Sequence, residues 1–273
     1  MKFTIHVPAT TANLGPGFDC LGLALKLYNE VTVEVGGSGW TMEGEGAAEL
    51  PEGSENLFWR AYHQVLRENG ATVPSLRVRQ VNRIPLGRGL GSSASAIVAG
   101  IVAAQEVLGG TLSPAAMVNI ATRLEGHPDN VAPALLGGLI LCSSGPDGVR
   151  TTSLPVPFEL QVAVASPDVR VSTEEARRIL PGSYPLADVT FTVSRACMLV
   201  SALLQKDLDA LAEAVEDRIH TPWRQTLIPG YEAVRQAARQ AGALGCFISG
   251  SGPTMAAFCR EETGPAVAQA MEA

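Results

Sequence analysis

The sequence predicts a mixed α and β protein, organised as one large domain or two modest ones, and three observations carry that expectation. Residues 3–7, 31–35, 76–81 and 160–165 alternate apolar and polar side chains with the period of half-buried strands. Residues 94–108 and 187–204 have the long apolar spacing of helices. The chain is 273 residues long, 46% hydrophobic and 17% charged, which is enough to build a substantial core and too apolar for a disordered chain.

Composition also narrows the function. The net charge is −7 and no basic run is present, so no nucleic-acid partner is expected. Any phosphate site must then work through local donors and a cation such as Mg²⁺ rather than through a global positive field. The chain opens Met-Lys-Phe-Thr-Ile-His-Val and reads at once as a strand, with no secretory leader. The longest apolar run is read at residues 94–104, too short to span a bilayer, so no membrane partner is expected and the location is read as cytoplasmic. Cys20, Cys142, Cys197, Cys246 and Cys259 are scattered without metal spacing and read as buried small hydrophobes in a reducing cytosol.

The strand at residues 76–81 leads into Pro85-Leu86-Gly87-Arg88-Gly89-Leu90-Gly91-Ser92-Ser93-Ala94-Ser95-Ala96. Glycine at every second position lets an anion approach the backbone, and the serines stand where a helix would begin. A helix N-terminus carries about half a positive charge, which favours phosphate there. Two familiar glycine loops fail on detail. A Walker loop needs Gly-Lys-Ser/Thr, and no lysine lies between Lys26 and Lys206. The dinucleotide fingerprint needs a glycine where Ser92 stands. The stretch is read as a nucleotide-phosphate cradle.

Taken in order, residues 3–7 run into a loop-like segment, Pro8-Ala9-Thr10-Thr11-Ala12-Asn13-Leu14-Gly15-Pro16-Gly17-Phe18-Asp19. Composition leaves open whether Asn13 and Asp19 form turns or line a pocket. Residues 31–35 are the next strand, 40–45 a short one, and 55–69 a helix stopped at Gly70. Ser113-Pro114 opens a helix that ends in the polar cluster Glu125-Gly126-His127-Pro128-Asp129-Asn130. Residues 135–142 and 160–165 are read as strands, with a domain boundary between 1–155 and 156–273. Ser172 or Thr173 caps a helix carrying Arg177, and helical runs follow at 187–204, 207–217 and 231–241. A glycine turn, Gly250-Ser251-Gly252-Pro253, then joins strands at 246–249 and 254–259.

The string Pro-x-Gly-x-Gly-Leu-Gly-Ser-Ser-Ala resembles the phosphate loop of the GHMP kinases. The segment from Pro8 to Asp19, the Asp129-Asn130-Val131-Ala132-Pro133 run, Ser-Thr-x-Glu-Ala-Arg at Arg177 and Asp-x-Ile-His-x-Pro-x-Arg at Arg224 resemble the homoserine kinase branch. The resemblance implies an α+β fold of two domains. The N-terminal one would be like domain 2 of ribosomal protein S5 and the C-terminal one ferredoxin-like. It implies ATP-dependent phosphorylation of L-homoserine on the route to threonine, with a homodimer as a partner to test.

On that resemblance Pro85 to Ser95 bind the nucleotide, with Asn56 on the adenine side, and Ser93 and Glu125 hold Mg²⁺. Asn13, Asp19, His127, Asn130, Arg177, Arg224 and Gly250 surround homoserine, with Ser93, Glu125, Asn130 and Asp19 as the catalytic set. Here a single glycine separates Glu125 from His127, a shorter gap than in some members. Two rival readings remain at this point: a GHMP kinase for a sugar or isoprenoid alcohol, and a non-catalytic binding protein on the same fold.

Overall fold

The structure, a computed structural model, describes residues 1–272. By their contacts these residues gather into two compact units. Met1–Thr10, Leu23–Leu86 and Gly91–Thr152 make the first, and Thr11–Gly22, Gly87–Leu90 and the chain from Ser153 onward make the second.

The first unit is built on a mixed sheet. Its strands are β1 (Lys2–Ala12), β2 (Leu21–Val35), β3 (Gly39–Gly44), β4 (Leu76–Asn82), β5 (Leu139–Gly145) and β6 (Gly148–Leu154). The order is β3-β4-β2-β5-β6, with β1 paired to β2. β2 and β4 are antiparallel, setting Val33 opposite Val78, and β3 runs parallel to β4. Val31, Val33 and Val78 are buried, as the alternation in the sequence requires.

Four helices belong to this unit: α1 (Leu57–Glu68), α2 (Ser92–Val107), α3 (Pro114–Glu125) and α4 (Pro128–Leu136). Phe58, Tyr62, Val65 and Leu66 of α1 share one core with Ile97 and Ile101 of α2. The two helices approach so closely that a Cβ on Gly100 would stand 2.3 Å from the Phe58 carbonyl oxygen. A glycine is needed there.

Several boundaries differ from the sequence reading. β1 continues through residues 8–12, read above as loop, and Pro8 is tolerated because β1 pairs on one side only. β2 begins ten residues before the alternation at 31–35 becomes visible. Residues 128–136, which run from the polar cluster into the expected strand at 135–142, form α4, with Pro128 in its first turn and Pro133 inside it. That helix displaces the start of the following strand from 135 to Leu139.

The second unit holds β7 (Leu160–Ala165), α5 (Thr173–Arg178), α6 (Leu186–Gln205), α7 (Leu211–Ala214), α8 (Thr221–Arg224) and α9 (Tyr231–Gln240). A 3₁₀ turn (Gln225–Leu227) follows α8, and β8 (Gly245–Ile248), β9 (Met255–Arg260) and α10 (Gly264–Glu272) come after α9. The sheet is antiparallel in the order β7-β9-β8. Tyr231 and Ala238 of α9 and Val267 and Met271 of α10 pack with Ala163, Ile248 and Ala257 of the strands.

The expected helix at 207–217 shrinks to α7. Lys206 adopts φ 58°, and the Asp207 carboxylate accepts the Ala210 N–H, a local turn that competes with helix. α10 escaped the sequence reading. α6 matches the run read at 187–204 to one residue at each end, and it supersedes residues 94–104 as the longest apolar segment. Cys20 and Cys197, read as buried, are exposed. By length and composition α6 could cross a membrane, and most of it lies open rather than buried inside the protein. A helix of a water-soluble protein passes the same test.

Candidate active site

In the first unit the site is built around the start of α2. Gly91 caps this helix in the left-handed region, φ 72°, and no side chain caps it. The first-turn N–H groups of Ser92, Ser93 and Ala94 therefore lie at the positive end of a 16-residue helix. The exposed Ser93 hydroxyl donates to Glu125 Oε1 at 2.5 Å. Glu125 is the last residue of α3, which stops at Gly126 in the left-handed region. Burial raises the Glu125 pKa against the Ser93 hydrogen bond and His127, with Asp129 adding to the rise. A half-buried carboxylate with an unfavourable charge, joined to an exposed hydroxyl, is a hard-oxygen pair suited to Mg²⁺.

His127 precedes α4, and its Nδ1 lies 2.5 Å from Asp129 Oδ1. Asn130 is buried, and its Oδ1 accepts the Thr10 hydroxyl at 2.8 Å. Ser95, one turn into α2, is also buried. Its hydroxyl donates to Ser92 O and accepts from Asn29 Nδ2, each at 2.9 Å. Asn29 Oδ1 in turn accepts the N–H groups of Arg83 and Ile84, so one amide ties the end of β4 to the start of α2.

In the second unit Gly87 and Gly89 have φ 63° and 74°, and the loop rests on the turn between β8 and β9. Ser249 Oγ donates to Gly89 O at 2.6 Å, and Thr254 N–H donates to Arg88 O. A Cβ on Gly89 would stand 2.2 Å from Ser249 O. The Arg88 guanidinium is bonded to Pro167 O and pairs with Asp168 at 2.6 Å, which turns the side chain to its own unit.

Asp19 and Arg177 form a bidentate ion pair, with N–O distances of 3.0 and 2.7 Å. Asn13 is buried at φ 69°; its Nδ2 donates to Gly250 O and its Oδ1 accepts the Asp19 N–H. Arg224 is 2% exposed and donates to the same Gly250 carbonyl at 2.9 Å and to Ala176 O at 3.2 Å.

The comparisons with known proteins agree in direction. The models for the GHMP kinases N terminal domain and the GHMP kinases C terminal region match residues 56–138 and 199–273. The chain is 46% identical to the homoserine kinase of Moorella thermoacetica over 270 residues, covering 97% of this chain and 91% of that protein. It is 44% identical to that of Carboxydothermus hydrogenoformans, covering 98% and 88%. The chain belongs to the homoserine kinase family.

Among solved structures, the homoserine kinase of Cytophaga hutchinsonii superposes with a TM-score of 0.90 at 34% identity, covering 99% of this chain and 89% of that one. A mevalonate kinase of L. major, TM-score 0.76 at 17% identity and covering 98% and 91%, shares the fold. With the homoserine kinase family established, the expected residues sort by geometry. Ser93, Glu125, Asp19 and Arg177 carry polar groups at least partly open to solvent. Ser95 and Asn56 do not. Ser95 is spent inside the protein, and Asn56 caps α1 through Phe58 N–H while its amide donates to Pro51 O. Asn13, Asn130 and Arg224 are buried and hydrogen-bonded as well. Thr10, Asn29, Phe18 and His220 escaped the sequence reading. Thr10, Phe18 and His220 do fall inside the quoted motifs; Asn29 does not.

Proposed function

We propose that the protein transfers the γ-phosphoryl group of ATP to the side-chain hydroxyl of L-homoserine, giving ADP and O-phospho-L-homoserine. The observation that carries this reading is the Asp19–Arg177 pair. It sets one anion and one cation side by side, the charge layout that an amino acid's ammonium and carboxylate require. We propose further that the reaction takes place in the cytoplasm, on the route to threonine.

The division of labour follows from phosphoryl transfer, which asks for positioning and charge neutralisation more than for covalent chemistry. The backbone N–H groups of residues 87–93 hold the β- and γ-phosphates. Ser93 and Glu125 hold Mg²⁺, which when bound neutralises phosphate charge and orients the γ-phosphoryl group. Asp19 takes the substrate ammonium, and Arg177 and Arg224 face its carboxylate. Asn130, fixed by Thr10, orients the substrate; an amide cannot accept the hydroxyl proton at neutral pH. As the new O–P bond forms and the bond to ADP breaks, that proton passes to an oxygen of the transferred phosphoryl group.

The test is ADP release measured with homoserine, mevalonate and galactose in turn. Turnover is expected with homoserine alone. Arg177→Ala should raise the homoserine KM at least about tenfold, since a hydrogen bond to a charged group contributes roughly 1.5–3 kcal/mol, and should leave the ATP KM unchanged. Equal turnover of mevalonate or galactose overturns the reading.

A further inference from the structure

His220 is 0% exposed, an expensive place for an imidazole. Its Nε2 lies 2.8 Å from Gly15 O, so the ring carries its proton on Nε2 and donates to that carbonyl. Burial lowers its pKa, which keeps the ring neutral, while Nδ1 is buried with no hydrogen-bond partner. An aliphatic side chain would avoid that loss but could not hold Gly15.

Gly15 lies in a segment that needs holding. Asn13, Leu14, Gly15 and Asp19 all have φ between 50° and 87°, and a Cβ on Gly15 would stand 2.0 Å from Val215 O. Backbone of this kind persists only where the surroundings over-determine it. The other face of the contact is Phe18, whose ring stacks on His220 with centroids 5.2 Å apart and planes at 30°. Over the same Phe18 ring lie both arginines, Arg224 Cζ at 5.0 Å and Arg177 Cζ at 5.5 Å from the centroid, within cation–π range. His220 is itself fixed from below. The Asp217 carboxylate accepts the N–H groups of Ile219, His220 and Thr221 at 2.7–2.9 Å.

We propose that Phe18 and His220 are positioning residues for amino-acid recognition. His220 pins the Gly15 carbonyl and backs the Phe18 ring, and the ring sets the two guanidinium groups that read the substrate carboxylate. Neither residue touches the reacting atoms. Both act through Arg177 and Arg224. This inference rests on the function proposed above and adds to it the device that selects an α-amino acid.

The experiment compares L-homoserine with 2-aminobutane-1,4-diol, the same molecule with its carboxylate replaced by a hydroxymethyl group. In Phe18→Leu, kcat/KM for homoserine should fall at least about tenfold, as expected when charge-assisted bonds are misaligned. That for the diol and the KM for ATP should stay within about twofold. Phe18→Tyr, which keeps the ring, should restore the preference for homoserine. His220→Gln, checked for folding by circular dichroism, should lose the same preference in the same direction. An equal fall for both substrates, or none for homoserine, overturns the platform while leaving the kinase reading intact. Wild-type protein that fails to turn over homoserine overturns both.

Discussion

Replacing Gly91 by alanine tests the centre of the first unit's site, and its cost can be worked from the geometry. At φ 72° an L residue is strained by roughly 1–2 kcal/mol relative to glycine. The new Cβ would stand 2.0 Å from Thr10 Oγ1, so the Thr10 side chain must turn away. An off-rotamer side chain costs about 0.5–1.5 kcal/mol. Turning it breaks the buried 2.8 Å bond to Asn130, and an orphaned buried acceptor costs about 1–3 kcal/mol. The expected loss is roughly 2.5–6.5 kcal/mol, a fall in Tm on the order of 5–25 °C for a chain of this size. Thermal unfolding of Gly91→Ala, Thr10→Ala and the double variant measures it. Without the hydroxyl the clash disappears, so the double variant should unfold no lower than Gly91→Ala alone. Losses that simply add would refute the argument, since coupling between touching residues is what it asserts.

Three further outcomes are expected. Glu125→Gln should lower turnover by at least about 100-fold with the fold intact, and near-normal turnover at saturating Mg-ATP would remove Glu125 from the metal site. His127→Ala should cost less than about 100-fold in kcat; a larger loss, with KM unchanged and an acidic limb abolished, would make this residue the general base. His220, faced by Asp217, Asp19 and Arg224, is neutral in the folded protein and takes up a proton on unfolding. Its contribution to stability is therefore kept above the unfolded-state pKa of about 6.5 and lost as the pH falls below it. Wild-type Tm should drop more steeply than that of His220→Gln between about pH 7 and 5; parallel slopes would refute it.

The parts of the molecule legible in the sequence were those whose signal is local. The alternation at 76–81, the glycine spacing from Gly87 to Gly91 and the Ser113-Pro114 cap each fix their own conformation, and β4, α2 and α3 follow. Illegible were features decided across the chain. Residues 8–12 carry turn-forming composition, yet pairing with β2 makes them strand. Ser95 sits in the phosphate motif, and nothing about a serine reveals that Asn29, 66 residues away, will claim its hydroxyl. His220 looks like any lone histidine until Gly15 O, 205 residues distant, is set against it. α4 was hidden by its own prolines, which argue against helix except in the first turn, where Pro128 lies.

The Gly250 carbonyl, which accepts from both Asn13 and Arg224, is a joint that side-chain mutagenesis cannot remove. Every residue supplies a carbonyl; only a left-handed backbone, here φ 57°, aims it this way. A substitution scan would record position 250 as intolerant without revealing that its functional atom was never altered. Amide-to-ester replacement between residues 250 and 251 weakens that oxygen as an acceptor and leaves every side chain in place. It would read the worth of the joint directly, in a currency of backbone atoms that evolution itself cannot spend.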